Sequence, residues 1–358
     1  MNVLFRVEKR MTVPFSLTLL VPTAAVLAAL VFCAVFLAIT DRSPFAVYSA
    51  MFEGALGSEY GVSETIVKAI PLILCGLGIS VAFRMQIWNI GAEGQFYMGA
   101  FAATWVPLTF PNLPMTIMLP MMMAAGIVAG ALWGILAAWL RNRFAVSELI
   151  STLMLNYIAI LWVSYLVYGP WRDPKGLNFP LTAPFPEAAI LPSFGDSRVH
   201  AGLVLALLAA VLLQFVFRKS RWGYEIRVIG ASPTAARYAG LDIKKNALAV
   251  MLISGALCGL AGMVEVSGIA GKLQAGLSPG YGYTAIIVAW LARLHPAAIV
   301  LVAFIFAVIQ VGGFMVQTLG VPASVATMIQ GAILFFVIGA DIITQYRIYR
   351  VNGGEADE

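Results

Sequence analysis

The chain has 358 residues, 61% of them hydrophobic and only 11% charged, with a mean hydropathy of +0.91. A soluble domain carries roughly 25% charged residues, so this composition excludes an ordinary soluble protein and indicates a polytopic membrane protein. The formal net charge of +5 is spread over short loops, without a basic array interleaved with aromatics, which excludes a nucleic-acid partner.

Apolar windows predict spans near 15–39, 65–83, 95–111, 115–140, 146–168, 200–217, 246–264, 281–293, 297–319 and 323–343, an all-α polytopic fold of about ten transmembrane helices. The first run follows Arg6, Lys9 and Arg10 and, at some 25 residues, exceeds a signal-peptide core, so it reads as a retained span. Phe32 before Cys33 is too large for a lipoprotein cleavage site. Cys33, Cys75 and Cys258 all fall in apolar stretches without metal-ligand spacing and read as packing residues. Ten spans put both termini on one side. Sixteen basic residues then share that side and six, Arg42, Lys68, Arg172, Lys175, Arg198 and Lys272, lie opposite, which orients the termini to the cytoplasm. The short third and eighth spans are the weakest and fit re-entrant segments as well. The domain organisation expected is a cytoplasmic N-terminus over 1–14, a single transmembrane domain over 15–345 and a cytoplasmic tail over 346–358. External segments at 40–64 and 169–199 are long enough to fold. The second carries Pro170, Pro174, Pro180, Pro184, Pro186 and Pro192 and makes either a stiff cap or an ordinary connector.

Polar residues interrupt the apolar sequence in a pattern. Residues 84–95 read RMQIWNIGAEGQ, too polar for lipid, with Gly91 and Gly94 permitting backbone turns and Glu93 costly at depth unless it faces protein, water or a partner charge. Broken helices with exposed ends surround solute paths in transporters, so Asn89, Glu93 and Gln95 read as path-lining or gate-bracing; a cytoplasmic turn with a capping glutamate is the alternative. Glu148, Thr152 and Asn156 recur every four residues and form one polar stripe, facing either a water-filled path or neighbouring helices. Glu265 and Lys272 flank a glycine-rich turn ending at Gly280, Tyr281, Gly282 and Tyr283. Gly271 and Lys272 do not make a phosphate loop, because Val266 and Leu273 stand where its first glycine and its Ser or Thr belong. His200 and His295 lie at opposite ends of the topology, cannot share a metal and read as interfacial residues. No catalytic constellation emerges.

The loop 218–245 holds seven basic residues and a short self-capped helix: Ser232 is a preferred N-cap, Pro233 suits the first helical position and Gly240 the left-handed C-cap position. The stub is about 10 Å long. It reads as a docking helix for a cytosolic partner, against the alternative of an ordinary basic surface helix.

NIGAEGQFYMGAFAA at 89–103, SELISTLMLNYIA at 147–159, RVIGASPTAARYAG at 227–240 and GYGYTAIIVAWLARLHP at 280–296 together resemble, in that order, the permease subunits of bacterial ABC importers of the ribose and branched-chain amino-acid type. The resemblance covers roughly 65–340 and is nearest to the longer permease of the nucleoside and simple-sugar branch, in which Gln95 follows the glycine-glutamate-glycine. It implies an inner-membrane importer with a second permease subunit, two cytosolic ATPases that bind ATP and Mg, and an extracytoplasmic binding protein, with no cofactor on this chain. Gly230, Ala231, Ser232, Pro233, Ala236, Arg237, Ala239 and Gly240 would form the coupling helix. Asn89, Gly91, Glu93, Gly94, Gln95, Glu148, Thr152 and Asn156 are candidates for the path or gate. The leading solute is a purine nucleoside, with sugar and riboflavin importers as alternatives; an ion-coupled transporter using Glu93, Glu148 and Asp341 is the runner-up from another class. WLARLH at 290–295 departs from the small residues and glycines of the family's corresponding stretch.

Overall fold

The structure, a computed structural model, describes residues 3–9, 15–195, 197–322 and 324–352, the side chains of 3–9, 15–19 and 341–352 excepted. The elements follow in chain order: β1 (Val3–Lys9), α1 (Phe15–Ile39), α2 (Pro44–Leu56), α3 (Glu59–Arg84), α4 (Ala92–Thr109), α5 (Met115–Phe144), α6 (Glu148–Tyr168) and α7 (Gly202–Lys219). Then come α8 (Arg221–Ala231), α9 (Pro233–Tyr238), α10 (Ile243–Glu265), α11 (Tyr281–Leu291), α12 (Pro296–Met315), α13 (Ser324–Gln345) and β2 (Tyr346–Asn352). Among the described residues the regular structure is helical apart from β1 and β2, which pair antiparallel from Val3 opposite Asn352 to Lys9 opposite Tyr346. Among the described residues, seven stretches are long and apolar enough to cross a membrane: Leu20–Ile39, Glu59–Arg84, Met115–Phe144, Glu148–Tyr168, Gly202–Lys219, Ile243–Ala270 and Pro296–Leu319. The other three expected spans fall short for different reasons. α4 is long but carries Glu93 and Gln95, α11 has only 11 residues, and the apolar part of α13 is Ser324–Ala340.

The backbone gathers into two compact units, residues 1–54 with 312–358, and residues 55–311. In the first, α1 packs on α13, with Phe32 and Phe336 rings 5.8 Å apart, and Arg42 donates to the carbonyls of Leu319 and Gly320. Tyr48 of α2 donates to Leu30 O at 2.7 Å.

The second unit is built around α3, α4, α5 and α10. Ser58 caps α3 by accepting from Gly61 N, and the helix then runs almost wholly buried from Val67 to Phe83, so it meets protein on every side. α10 crosses α5 at backbone contact. A Cβ on Gly130 would collide with the Gly255 carbonyl and Gly259, one on Gly126 would press on Met263 and the Gly259 carbonyl, and one on Gly99 of α4 would overlap the Gly259 backbone. These glycines lie four apart on α5 (126, 130) and on α10 (255, 259), which puts each pair on one face. Helices in lipid gain nothing from hiding apolar surface from one another, so close backbone packing through small residues carries their association.

The polar segment 169–199 folds against the end of α10. Thr182 N donates to Leu273 O, Leu273 N to Thr182 Oγ1, Phe185 N to Gly271 O and Leu191 N to Ser267 O. Its prolines thus line an extended cover tied by hydrogen bonds to 267–275. α10 itself ends in a π-type turn over Val266–Ala270 that opens at Gly271, φ +60°.

Replacing Gly259 with leucine separates α4, α5 and α10 and is expected to cost about 3 kcal/mol or more, leaving little monodisperse protein after detergent extraction. Gly331→Ala, at a position with no atom within 4 Å of the added Cβ, is expected to leave the elution profile unchanged.

Candidate functional site

Two helices of the second unit begin inside it, and they begin at one place. The chain leaves α3 at Arg84, turns through Gln86, φ +58°, and runs inward, so that α4 starts at Ala92 among buried groups. α11 starts at Tyr281 and ends near the foot of α3, where Arg84 Nη2 donates to Leu294 O at 2.7 Å. At 11 residues α11 is about 16 Å long, half a bilayer core. The two N-termini touch: a Cβ on Gly282 would overlap the backbone of Ala92 and Glu93. Glu93, 2% exposed, accepts from Gly282 N through Oε2 at 2.6 Å, with further hydrogen bonds from Tyr283 N and Ser278. The first N–H groups of a helix have no partner within it, and an acidic side chain there satisfies them and suits the positive end of the dipole. Glu93 therefore joins two helix starts.

The remaining candidates surround this joint. Asn89 donates to Ser254 Oγ at 2.8 Å and to Gln95 Oε1 at 3.1 Å, while its Oδ1 accepts from Gly91 N at 2.9 Å. Asn156 Oδ1 accepts from Gly94 N at 2.8 Å, and its Nδ2 donates to Ile90 O and to Tyr283 OH. Thr152 Oγ1 accepts from Ile90 N. Gly91 has φ −76° and so is not required by torsion; a Cβ there would press tightly on Thr152, and one on Gly94 would collide with Asn156. Glu148 stands apart from this set: its carboxylate faces Arg141 at 3.5 Å. The polar stripe of α6 thus divides, with Thr152 and Asn156 at the joint and Glu148 at the helix start. Asp341, the third acidic candidate, has its side chain outside the described residues.

The short helix in loop 218–245 has the expected form. Ser232 Oγ accepts from Ala235 N at 3.2 Å, Pro233 is the first helical residue, Ala239 caps and Gly240 follows at φ +73°. Its base is fixed on the second unit. Gly230 abuts the Arg84 carbonyl so closely that a Cβ would collide with it, Asn246 donates to Glu225, and the Arg84 guanidinium lies 4.0 Å from the Phe217 ring centre. Ala236 is fully buried and Gly230 faces α3, so neither is available at the outer surface; Pro233, Arg237, Ala239 and Gly240 are exposed, as is Tyr238 at 90%.

Trp290, within the departure at 290–295, stacks on Trp88 at 5.5 Å and meets Phe83 edge-on, while Arg293 and Leu294 take the left-handed conformation that ends α11. Beside the start of α11 Lys68 pairs with Glu265 at 3.3 Å, and Tyr281 OH donates to the same Oε1.

A family described as "Branched-chain amino acid transport system / permease component" matches residues 61–338. The chain belongs to that family. It is similar to the glucose ABC transporter permease protein of Haloferax volcanii (39% identity, 97% of this chain and 94% of that one) and to the guanosine ABC transporter permease protein of Bacillus subtilis (36%, 89% and 92%). It is also similar to the nucleoside ABC transporter permease protein of Lactococcus lactis subsp. cremoris (30%, 89% and 90%). The chain is thus a multi-pass ABC transporter permease and not itself catalytic, and the family implies that ATP is handled by separate ATPase subunits.

In this permease, sequence reasoning missed Ser254, the Lys68–Glu265 pair and Tyr238. The pair had a signal, since both charges sit at the same end of apolar runs and need each other there. Tyr238 had one as well, as the large side chain next to the predicted C-cap. His200, expected at an interface, is instead 1% exposed and fills the space beside Gly202 and Gly268, with Nδ1 accepting from Gly202 N.

Glu93→Ala leaves Gly282 N–H unpaired and is expected to cost about 2 kcal/mol of thermal stability and to lower transport at least roughly tenfold. Glu93→Gln keeps an acceptor and should fall between Ala and wild type; wild-type uptake by both variants would contradict the role. Burial pushes the His200 imidazole down to about 4, so the unfolded chain binds the proton more readily. The melting temperature is then expected to be flat above about pH 6.5 and to fall as the pH drops toward 4, with a shallower fall in His200→Gln.

Proposed function

We propose that this permease forms half of the membrane path of an importer of nucleosides, purine nucleosides foremost. The two nucleoside and guanosine permeases at 30% and 36% identity support this solute class. The 39% identity to a glucose permease over 97% of the chain favours a second reading, a hexose importer. Both solutes are neutral rings bearing several hydroxyls.

We infer ten crossings, seven by the long helices and three by α4, α11 and α13. The antiparallel pairing of β1 with β2 supports an even number, because segments flanking the first and last helices can pair only on one side of the membrane. The sixteen-to-six distribution of basic residues supports a cytoplasmic position for that side. α4 and α11 then start at depth and make their crossings together with the loops before them, the arrangement by which transporters keep unpaired backbone within protein. Glu93, Asn89, Gln95, Thr152 and Asn156 act in this reading as braces that hold the broken helices, rather than as the path's own lining. The observation that carries this is their burial with hydrogen bonds to one another and to backbone.

The cytoplasmic stub of α8 and α9 is the coupling element for the ATPase, and Arg237 and Tyr238 are its contact residues. Gly230 on Arg84 gives the stub a direct hold on the segment that leads to Asn89 and Glu93. A second permease and an extracytoplasmic binding protein complete the assembly, the latter received by the 169–199 cover.

Two measurements test this. Restoring the chain to cells that lack it should restore uptake of labelled inosine, competed by guanosine and not by glucose; uptake of labelled glucose with no nucleoside uptake would select the second reading. Replacing Arg237 and Tyr238 together by glutamate should lower solute-stimulated ATP hydrolysis and uptake at least roughly tenfold while the permease still inserts, and normal coupling in that variant would overturn the stub's role.

A further inference from the structure

Two exposed faces of this permease differ in kind. On α7 the exposed side chains before the basic end at Arg218 and Lys219, namely Val204, Leu207, Leu208, Val211, Leu212 and Phe215, are all apolar, as hydrocarbon requires. On α6 the exposed strip is Ile150, Met154, Tyr157, Leu161, Tyr165 and Tyr168. Tyr165 and Tyr168 close the helix, where aromatic residues belong at a membrane surface. Tyr157 is nine residues from the start of α6 and eleven from its end, about 14 Å and 17 Å, and is 55% exposed. On a helix that crosses the membrane that position is the middle of the span, and a phenol hydroxyl open to hydrocarbon there has no partner.

Tyr283 meets α6 one residue away, where its hydroxyl is held by Asn156, the neighbour of Tyr157 in the chain. It is 37% exposed, its backbone N–H is held by Glu93, and its hydroxyl accepts from Asn156 Nδ2 at 3.3 Å. The buried network of Asn89, Gln95, Thr152 and Asn156 thus reaches an open surface at Tyr283. The exposed neighbours of Tyr157 on α6, Met154, Ile158 and Leu161, carry no charge. The face is therefore an aromatic one with two hydroxyls and no ionic group, set on a braced helix start. Aromatic faces stack on heterocycles and on the C–H faces of sugars, and phenols exchange hydrogen bonds with ring hydroxyls.

We propose that Tyr157 and Tyr283 are the solute-contacting pair of this chain midway along the path, and that they take a neutral hydroxylated ring, a nucleoside or a hexose. The inference rests on the reading of the chain as half of an importer's path. It assigns the contact to side chains other than the polar ones that the sequence singles out: those hold Tyr283 in place, and the phenols meet the solute.

The test is thiol labelling in the assembled transporter, with partner permease and ATPase, in membrane vesicles. The native Cys33, Cys75 and Cys258 are buried and give a low background. Tyr157→Cys and Tyr283→Cys are expected to react with a permanently charged methanethiosulfonate at least ~30-fold faster than Leu208→Cys, since the charged reagent enters hydrocarbon poorly. Guanosine or glucose at saturating concentration should slow both reactions. Labelling of Tyr157→Cys no faster than of Leu208→Cys, whether lipid or the second permease covers it, overturns the proposal. So does fast labelling that no transported solute slows. Fast labelling slowed by a different transported solute keeps the pair in the path and refutes the nucleoside and hexose readings instead. Should the cysteine variants fail to assemble, Tyr157→Phe decides: removal of one hydroxyl is expected to raise the KM of the assembled transporter about 3- to 10-fold with kcat retained, and an unchanged KM overturns the contact.

Discussion

Two helix starts meet inside this permease, and one carboxyl group ties them together. α4 and α11 each begin with N–H groups that their own helices cannot use, at a depth where no solvent is at hand to take them. Glu93 answers for α11 through Gly282 at 2.6 Å, and Asn156 answers for α4 through Gly94 at 2.8 Å. Without such partners neither helix could start where it does, and the inward loops before them would carry unpaired backbone within the membrane. The fold around the joint follows from this need. α6 must bring Asn156 and Thr152 to the start of α4, α10 must bring Ser254 to Asn89, and both must come close enough that glycine is the residue that fits at 91, 94 and 282.

Closeness is also the theme of the packing beneath. α10 meets α5 and α4 through Gly255 and Gly259, with carbonyl groups lying where side chains would otherwise be. Such contacts leave little room for gradual adjustment, so in the proposed reading a movement of the stub is passed on as displacement of whole elements rather than absorbed by side chains. Arg84 lies where this matters. Its carbonyl supports Gly230 of α8, its guanidinium lies over Phe217 of α7 and reaches Leu294 beyond α11, and the chain that follows it leads to Asn89 and Glu93. One residue therefore touches the stub proposed to meet the ATPase and both broken segments.

Much of this was legible in the sequence. The first apolar run and α1 share the bounds 15–39, and Ser232, Pro233 and Gly240 signalled α9 because capping is a local matter decided by a few adjacent residues. The polar residues of 84–95 and of α6 stood out because lipid tolerates none of them. Their partners could not be read: Asn156 finds Gly94 sixty-two residues away and Glu93 finds Gly282 across one hundred and eighty-nine, and nothing in spacing along a chain reports such meetings. Span counting by hydropathy is weakest where the joint lies, because α11 has only 11 residues and α4 carries the polar groups that make its start possible, so both depart from the long apolar pattern. The face of Ala236 was also beyond reach, because a six-residue helix is too short for its periodicity to declare an inside.

The most direct test of the joint is a structure of the assembled transporter with its solute bound and its ATPases engaged. The account predicts that Glu93 still accepts from Gly282 N–H and Asn156 from Gly94 N–H, with α4 and α11 moving as one piece and the carboxyl group of Glu93 out of reach of the solute. A structure in which Glu93 has left Gly282 and hydrogen-bonds the solute would contradict it, and would make the joint a binding site in place of a brace.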